Sequence, residues 1–82
     1  MSVVTLYGRD GCHLCDEARA ALLDLRRGGA TFRLIEVDIE ADERLHRRLL
    51  ELIPVIDVDG HRVCELMMDI DAVLARLDTV SG

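Results

Sequence analysis

The sequence predicts an α/β fold, a four-stranded mixed sheet with three helices in the order strand, helix, strand, helix, strand, strand, helix. Two apolar strand-like runs, Val3 to Tyr7 and Thr31 to Val37, are separated by a segment with helical spacing. That succession is typical of a βαβ unit with parallel strands and a right-handed crossover. A second helical segment leads into a hairpin over Pro54 to Glu65 and a last helix. Joining the two units into one sheet places the first strand in the centre and helices on both faces.

The composition fits one small domain, residues 1–82, with an aliphatic core. Half of the residues are hydrophobic, but the only aromatic residues are Tyr7 and Phe32. The net charge of −6 argues against nucleic acid as a partner, because binding its backbone needs clustered cations. No apolar run approaches the roughly 18 residues of a membrane span, and the N-terminus lacks the pattern of a signal peptide. We therefore expect a cytoplasmic monomer that binds neither nucleic acid nor membrane.

The first strand and the first helix are predicted by their apolar patterns. Val3 to Tyr7 is apolar at nearly every position, which is typical of a strand covered on both faces. The segment Leu14 to Arg27 has acidic residues in its first turn and two arginines in its last, which match the helix dipole, and Gly28-Gly29 ends it. Its apolar residues recur on one face of a helix: Leu14, Ala18, Ala21, Leu22 and Leu25.

The second strand and the second helix are less regular. Alternation is imperfect in Thr31 to Val37, so this strand should be more exposed than the first. The acidic stretch Asp38 to Asp42 supplies N-cap candidates for a helix that ends near Leu50, before Pro54. The apolar residues that predict this helix are Ala41, Leu45, Leu49 and Leu52.

The last third of the chain reads as a hairpin and a helix. Asp59-Gly60 between two short apolar runs indicates a type I′ turn. Asp69 is placed to cap the final helix, and the tail from Thr79 to Gly82 should fray. One apolar face is formed by Ile70, Val73, Leu74, Leu77 and Val80.

Two cysteines lie three residues apart where the first strand gives way to the first helix. In a reducing compartment, Cys12 and Cys15 are better explained by redox chemistry or metal binding than by a structural framework. At a helix N-terminus, the unpaired backbone N–H groups and the dipole stabilise a thiolate. Cys12 is therefore the expected nucleophile, and Cys15, one turn further and more buried, would resolve the mixed disulfide.

Charged neighbours of the pair have opposing effects. Arg9, and His13 when protonated, favour the Cys12 thiolate, whereas Asp10, Asp16 and Glu17 oppose it. We expect a moderate lowering of the Cys12 pKa, and hence a protein that reduces disulfides rather than forming them.

The run from Val4 to Cys15 resembles the start of glutaredoxins and glutaredoxin-like proteins of the thioredoxin superfamily. In these proteins the first strand leads into a basic residue, two spacers and a C-x-x-C motif. Ile53-Pro54-Val55 followed by Asp59-Gly60 resembles the hydrophobic-Pro-hydrophobic strand and hairpin of the family. The motif is closest to the type Cys-x-Leu-Cys-Asp. The resemblance implies a thioredoxin-like fold and a thiol–disulfide oxidoreductase without a bound cofactor, acting on protein disulfides or glutathione mixed disulfides.

The resemblance also implies a site around the cysteine pair. It implies a cis Ile53–Pro54 bond and a substrate that pairs with the backbone of Ile53 as an added strand. Glutathione-using members carry Gly-Gly where this chain has Cys64-Glu65, which would fill the space and add a negative charge, while Asp69 would serve the γ-glutamyl amine. The reductant is therefore either glutathione or a thioredoxin-reductase-type flavoenzyme. By position, substrate contacts are expected from Arg9, His13, Leu14, Ile53, Pro54, Cys64 and Glu65.

Two other functions are compatible with the residues. A zinc site of Cys₃His type would use Cys12, Cys15, His61 and Cys64, although His61 and Cys64 should point to opposite faces of a strand. The second alternative is a non-catalytic adaptor on the same scaffold, which an intact C-x-x-C motif disfavours. Cys64 itself is interpreted either as a buried strand residue or as a second redox thiol near Cys12.

Overall fold

A computed structural model describes the backbone of residues 1–81 and the side chains of residues 1–77. Strands and helices follow the predicted order, with one additional 3₁₀ turn before the second helix. The elements are β1 (Ser2–Gly8), α1 (His13–Arg27), β2 (Phe32–Asp38), the 3₁₀ turn (Ile39–Ala41), α2 (Glu43–Leu49), β3 (Val55–Val58), β4 (His61–Glu65) and α3 (Ile70–Ser81).

The four strands form one mixed sheet in the order β2-β1-β3-β4. β1 runs parallel to β2, with Thr5 opposite Ile35, and antiparallel to β3, with Leu6 opposite Ile56. β3 and β4 form the antiparallel hairpin. The predicted mixed sheet with a central first strand is thus confirmed. Because β2 is an edge strand, its greater exposure is also explained.

Helices cover both faces of the sheet. On one face, α1 and α3 pack against β1 and β3 in a cluster that includes Leu6, Leu22, Ile56 and Val73. On the other, α2 and the 3₁₀ turn pack against the same strands in a smaller cluster of Ile39, Leu49, Ile53, Val55 and Cys15. Cys15 thus anchors the start of α1 in the smaller cluster. In residues 1–81, no helix is long and apolar enough to cross a membrane.

The acidic stretch Asp38 to Asp42 forms two caps rather than one. The Asp38 side chain accepts a hydrogen bond from the Glu40 N–H, at 2.9 Å, and begins the 3₁₀ turn. The Asp42 side chain accepts hydrogen bonds from the N–H groups of Arg44 and Leu45 and begins α2. The second helix therefore starts after Ala41, which the apolar spacing had included in it.

Two predicted core positions are instead exposed. Leu14 is 46% exposed and Ile70 is 45% exposed, although both lie on the apolar stripe of their helices. Each stands in the first turn of its helix. Asp69 caps α3 as predicted, because its side chain accepts a hydrogen bond from the Ala72 N–H at 3.1 Å. The predicted frayed tail from Thr79 is instead helical as far as Ser81, where α3 ends. The predicted contribution of the Val80 side chain, and Gly82, lie outside the described residues.

The hairpin turn is tied to β1 by Asp59. Both Asp59 and Gly60 have positive φ, 50° and 83°, as a type I′ turn requires. The Asp59 carboxylate accepts a hydrogen bond from the Val3 N–H at 2.9 Å, and the Asp59 N–H donates to the Val3 carbonyl at 2.8 Å. One residue thus closes the turn and fastens it to the central strand.

Two substitutions of Asp59 should show how much its side-chain hydrogen bond to Val3 and its positive φ matter for stability. Asp59→Ala removes the acceptor for Val3 and puts a β-carbon without local hydrogen bonding at positive φ, so we expect a loss of about 1–2 kcal/mol in the free energy of unfolding. Asp59→Asn keeps an oxygen acceptor and tolerates positive φ, and should lose less than about 0.5 kcal/mol. Urea unfolding measures both; equal losses would contradict this role for Asp59.

Candidate redox site

The cysteine pair lies at the junction between β1 and α1. Cys12 is the N-cap residue of α1, with extended backbone angles (φ −92°, ψ 106°), and Cys15 lies in the first turn. Their α-carbons are 5.2 Å apart and their sulfurs are at disulfide distance. The predicted C-x-x-C placement at a helix start is therefore what the structure shows, with the pair in its disulfide form.

The two sulfurs have different environments. Cys15 is only 1% exposed and belongs to the smaller core cluster, whereas Cys12 is partly exposed at its edge. The Cys12 sulfur accepts a hydrogen bond from the Cys15 N–H at 3.2 Å, as a capping oxygen would. In the dithiol form, that N–H and the positive end of the helix dipole would favour the thiolate of Cys12. Cys12 is therefore the more accessible of the two sulfurs and the one that caps the helix.

Gly8 at the end of β1 makes room for Cys15. A β-carbon on Gly8 would lie 3.0 Å from the Cys15 sulfur and 3.1 Å from its β-carbon, closer than side-chain atoms normally approach. A side chain at residue 8 would therefore force Cys15 to shift from its buried position. The sequence pattern gives no signal for this role of Gly8, since the contact joins two elements.

Ile53 and Pro54 lie beside the pair. Ile53 shares the smaller core cluster with Cys15, and the Ile53–Pro54 peptide bond is cis. Both residues are buried. The Ile53 N–H already donates to the Leu49 carbonyl at 3.0 Å. The Ile53 N–H is therefore already paired within the protein.

The charged residues near the pair are largely engaged with one another. Arg9 forms an ion pair with Glu40 at 3.7 Å rather than with a cysteine. His13 is highly exposed and lies 3.2 Å from Glu17, an ion pair only when His13 is protonated. Arg19 contacts the carboxylates of Glu36 and Asp16, and these hydrogen bonds raise the pKa of Arg19.

The Arg19 interactions were absent from the sequence analysis. The i, i+3 spacing of Asp16 and Arg19 is a pattern that could have indicated one of them, whereas the contact to Glu36 depends on α1 lying beside β2. Because Asp16 is partly neutralised in this way, it opposes a Cys12 thiolate less than its position in the sequence implies.

A polar cleft opens on the side of Cys15 facing β2. Its volume is about 140 Å³, and its lining includes Gly8, Arg9, Asp10 and Asp38 in addition to Cys15. Arg9 thus faces this cleft, and the structure connects it to Glu40 and the end of β2 more directly than to the Cys12 sulfur.

Cys64 does not lie at the surface beside the pair. It is 5% exposed, packs in the larger core cluster, and its sulfur accepts a hydrogen bond from the Asp69 N–H at 3.4 Å. Burial raises the pKa of the Cys64 thiol and outweighs the stabilisation that this N–H gives to the thiolate. Its burial agrees with the interpretation of Cys64 as a buried strand residue, and its contact with a substrate stays a prediction. Glu65 does face outward, with its carboxylate 3.2 Å from Arg62.

The structure does not assemble the alternative zinc site. His61 is exposed on β4 while Cys64 points into the core, so the two residues do not converge. Across the part of the chain that is described, no group of three or more histidine, cysteine, aspartate or glutamate residues is arranged to hold a metal ion.

A central strand followed by a helix-capping cysteine pair, with an X-Pro strand and hairpin alongside, defines a protein with the thioredoxin-like fold. The glutaredoxin-like domain family (DUF836) matches residues 3–78. The chain therefore belongs to the glutaredoxin-like family within the thioredoxin superfamily.

Solved structures agree with this assignment. A protein from Nitrosomonas europaea has a TM-score of 0.79 at 31% identity, over 92% of this chain and 89% of its own. A protein from X. campestris has a TM-score of 0.72 at 34% identity, over 93% and 96%. A mutant thioredoxin from Halobacterium salinarum has a TM-score of 0.71 at 17% identity, over 99% and 75%, a likeness of fold alone. No curated protein sequence matches the chain significantly.

Gly8→Ala should disturb Cys15 specifically. The added β-carbon would displace the Cys15 side chain, so we expect a loss of about 1–3 kcal/mol in the free energy of unfolding and slower closure of the dithiol to the disulfide. Gly28→Ala is the matched control, because its φ of −80° suits alanine and its nearest contact, at 3.4 Å, is an ordinary one. Urea unfolding and the rate of disulfide closure with oxidised glutathione measure the two effects. Indistinguishable variants would contradict the steric role of Gly8.

Cys64 should be inert in the folded, reduced protein. Since burial raises its pKa, the thiolate fraction at pH 8 is lower than for an exposed cysteine, and the sulfur is shielded as well. Alkylation with iodoacetamide at pH 8, followed by mass spectrometry, should modify Cys12 well before Cys64. Labelling in urea provides the control, where Cys64 should react readily. Equal rates for Cys12 and Cys64 in the folded protein would contradict the buried position.

Proposed function

We propose that this protein is a thiol–disulfide oxidoreductase that reduces disulfides of other molecules in cellular redox homeostasis. The observation that carries the proposal is the asymmetry of the pair: Cys12 is accessible and caps the helix, and Cys15 is buried one turn behind it. An attacking thiolate must reach a substrate, whereas a resolving thiol needs to reach only its partner sulfur. The family to which the chain belongs supports the same chemistry.

The proposed reaction has two exchange steps. The Cys12 thiolate attacks one sulfur of the substrate disulfide, which forms a mixed disulfide and releases the other sulfur as a thiolate that takes a proton from solvent. Cys15 loses its proton to solvent and attacks the Cys12 sulfur, which releases the second substrate thiol and leaves the Cys12–Cys15 disulfide. Two electrons pass from the dithiol to the substrate, so the cysteine pair alone carries them and no bound cofactor is required.

The second half of the cycle needs an external reductant. Two glutathione molecules, or a thioredoxin-reductase-type flavoenzyme, would return the disulfide to the dithiol, with a protein disulfide or a glutathionylated protein as the oxidised substrate. We place this cycle in the cytoplasm and assign it to a monomer. In this proposal the substrate would contact four residues around the pair: Leu14, Ile53, Pro54 and Glu65.

Trapping tests the division of roles between the cysteines. Cys15→Ser leaves the Cys12 nucleophile but prevents resolution, so mixed disulfides with substrate proteins should accumulate in a lysate and disappear on treatment with dithiothreitol. Cys12→Ser is the matched control, because serine also caps a helix and the variant should keep α1 intact. Mass spectrometry of the captured proteins quantifies the difference. A yield from Cys15→Ser no higher than from Cys12→Ser would refute the proposed roles, and lack of thiol-dependent disulfide reduction by the wild-type protein would favour the adaptor function.

A further inference from the structure

An apolar groove, which we name the Leu66 groove, lies next to the cysteine pair. Its walls are formed by Leu14, Leu66 and Met67. Its volume is about 120 Å³, and the buried Ala18 and half-buried Met68 also line it. The three wall residues are 46%, 49% and 71% exposed, respectively. Leu14 stands between the two cysteines in the sequence, so one wall of the groove is part of the redox motif itself. A groove of this kind leaves apolar surface in water that a partner could cover.

The backbone holds Leu66 in an unfavourable conformation that turns it toward this surface. Leu66 has a φ of +68°, a region that costs free energy for any residue with a β-carbon. It is held there by two short hydrogen bonds, from the Leu66 N–H to the Leu52 carbonyl at 2.8 Å and from the Met67 N–H to the Glu65 carbonyl at 2.7 Å. The first bond ties the turn to the residue just before Ile53–Pro54. The second wall of the groove is therefore fixed beside the segment that packs against the pair.

One acidic residue, Glu17, borders the groove. It is among the lining residues and is well exposed, and its neighbour His13 carries a charge only when protonated. Glu65, which precedes Leu66, is already paired with Arg62 at 3.2 Å. Glutathione carries one ammonium group and two carboxylates at neutral pH, and it has no large apolar side chain. An anionic ligand without an apolar side chain matches neither the lining nor the border of the groove. A polypeptide with an apolar residue and a cation near its disulfide matches both.

We infer that the Leu66 groove binds an apolar side chain of a polypeptide substrate beside its disulfide, and that the acidic border selects a neighbouring lysine or arginine. The inference rests on the proposed disulfide reduction and specifies its substrate class. Selection would operate at the attack of Cys12, because a side chain seated against Leu14 would hold the adjoining disulfide at the accessible sulfur. The occupant is thus an extended segment of another protein rather than free glutathione disulfide.

Synthetic peptides with one disulfide provide the test. The reference peptide carries leucine next to the disulfide-bonded cysteine and arginine beside the leucine; the others replace leucine by serine or arginine by glutamate. With the wild-type protein, kcat/KM should fall at least about tenfold for the serine peptide, as expected for the loss of one buried leucine side chain. The kcat/KM should also be lower for the glutamate peptide than for the reference peptide. Salt at 0.5 M should reduce this second difference, because it screens the charges. Equal kcat/KM values for the leucine and serine peptides would refute binding of an apolar side chain in the groove.

Two variants of the protein test whether the preference for the leucine peptide arises at the Leu66 groove. In Met67→Gln, a polar group of similar length enters the groove wall, and the leucine-to-serine ratio of kcat/KM should drop below about threefold. Ile35→Gln is the matched control, since Ile35 is an apolar residue of comparable exposure (42%) on β2, outside the groove. Its ratio should equal that of the wild type. An undiminished ratio in Met67→Gln would show that the preference arises elsewhere and would refute this assignment.

A binding measurement separates failure of the groove from failure of the redox function. Fluorescently labelled peptides whose cysteines are S-methylated cannot exchange, so anisotropy reports association with the oxidised protein alone. The leucine peptide should bind at least about tenfold more tightly than the serine peptide, and Met67→Gln should reduce this difference. A protein that binds selectively but reduces no disulfide would contradict only the proposed function. Equal binding of the two peptides would contradict the groove, whatever the catalytic result.

Discussion

The hydrogen bond from the Cys15 N–H to the Cys12 sulfur is the interaction on which the redox site depends. It places sulfur where helices usually have the oxygen of serine, threonine or aspartate, so the residue that caps α1 is also the proposed nucleophile. A thiolate accepts such a bond more strongly than a neutral sulfur does. The start of the helix and the thiolate form of Cys12 would therefore be stabilised by the same contact.

The central strand supplies the second constraint. β1 is hydrogen-bonded on both sides, so its end at Gly8 is fixed relative to the sheet, and Cys15 packs directly against that end. Burial of Cys15 leaves Cys12 as the sulfur that a substrate can reach. The difference between the two cysteines thus arises from the sheet as well as from the helix, since a helix start alone would not determine which sulfur is covered.

Local patterns predicted most of the fold, and contacts between distant elements account for what they missed. The element order, the Asp59-Gly60 turn and the Asp69 cap each depend on residues within a few positions, and all three agree with the structure. The exposure of Leu14 and the close approach of Gly8 to Cys15 depend on how the elements pack against one another. For the site, the C-x-x-C motif located the pair and its helix start, but the spacing of residues could not show which neighbouring charges meet.

Pairing among those charges changes the explanation of the site's electrostatics. Counted along the sequence, the acids near Cys12 outnumber the bases and would oppose a thiolate. In the structure, however, Asp16 meets Arg19, Glu40 meets Arg9 and Glu65 meets Arg62. Ion pairs at exposed positions act weakly beyond their own partners, because each pair is nearly neutral and water and salt screen it. The Cys15 N–H cannot be neutralised in this way, since it donates to the Cys12 sulfur itself. The local geometry of the helix start, more than the surrounding formal charge, is therefore the property that would set the reactivity of Cys12.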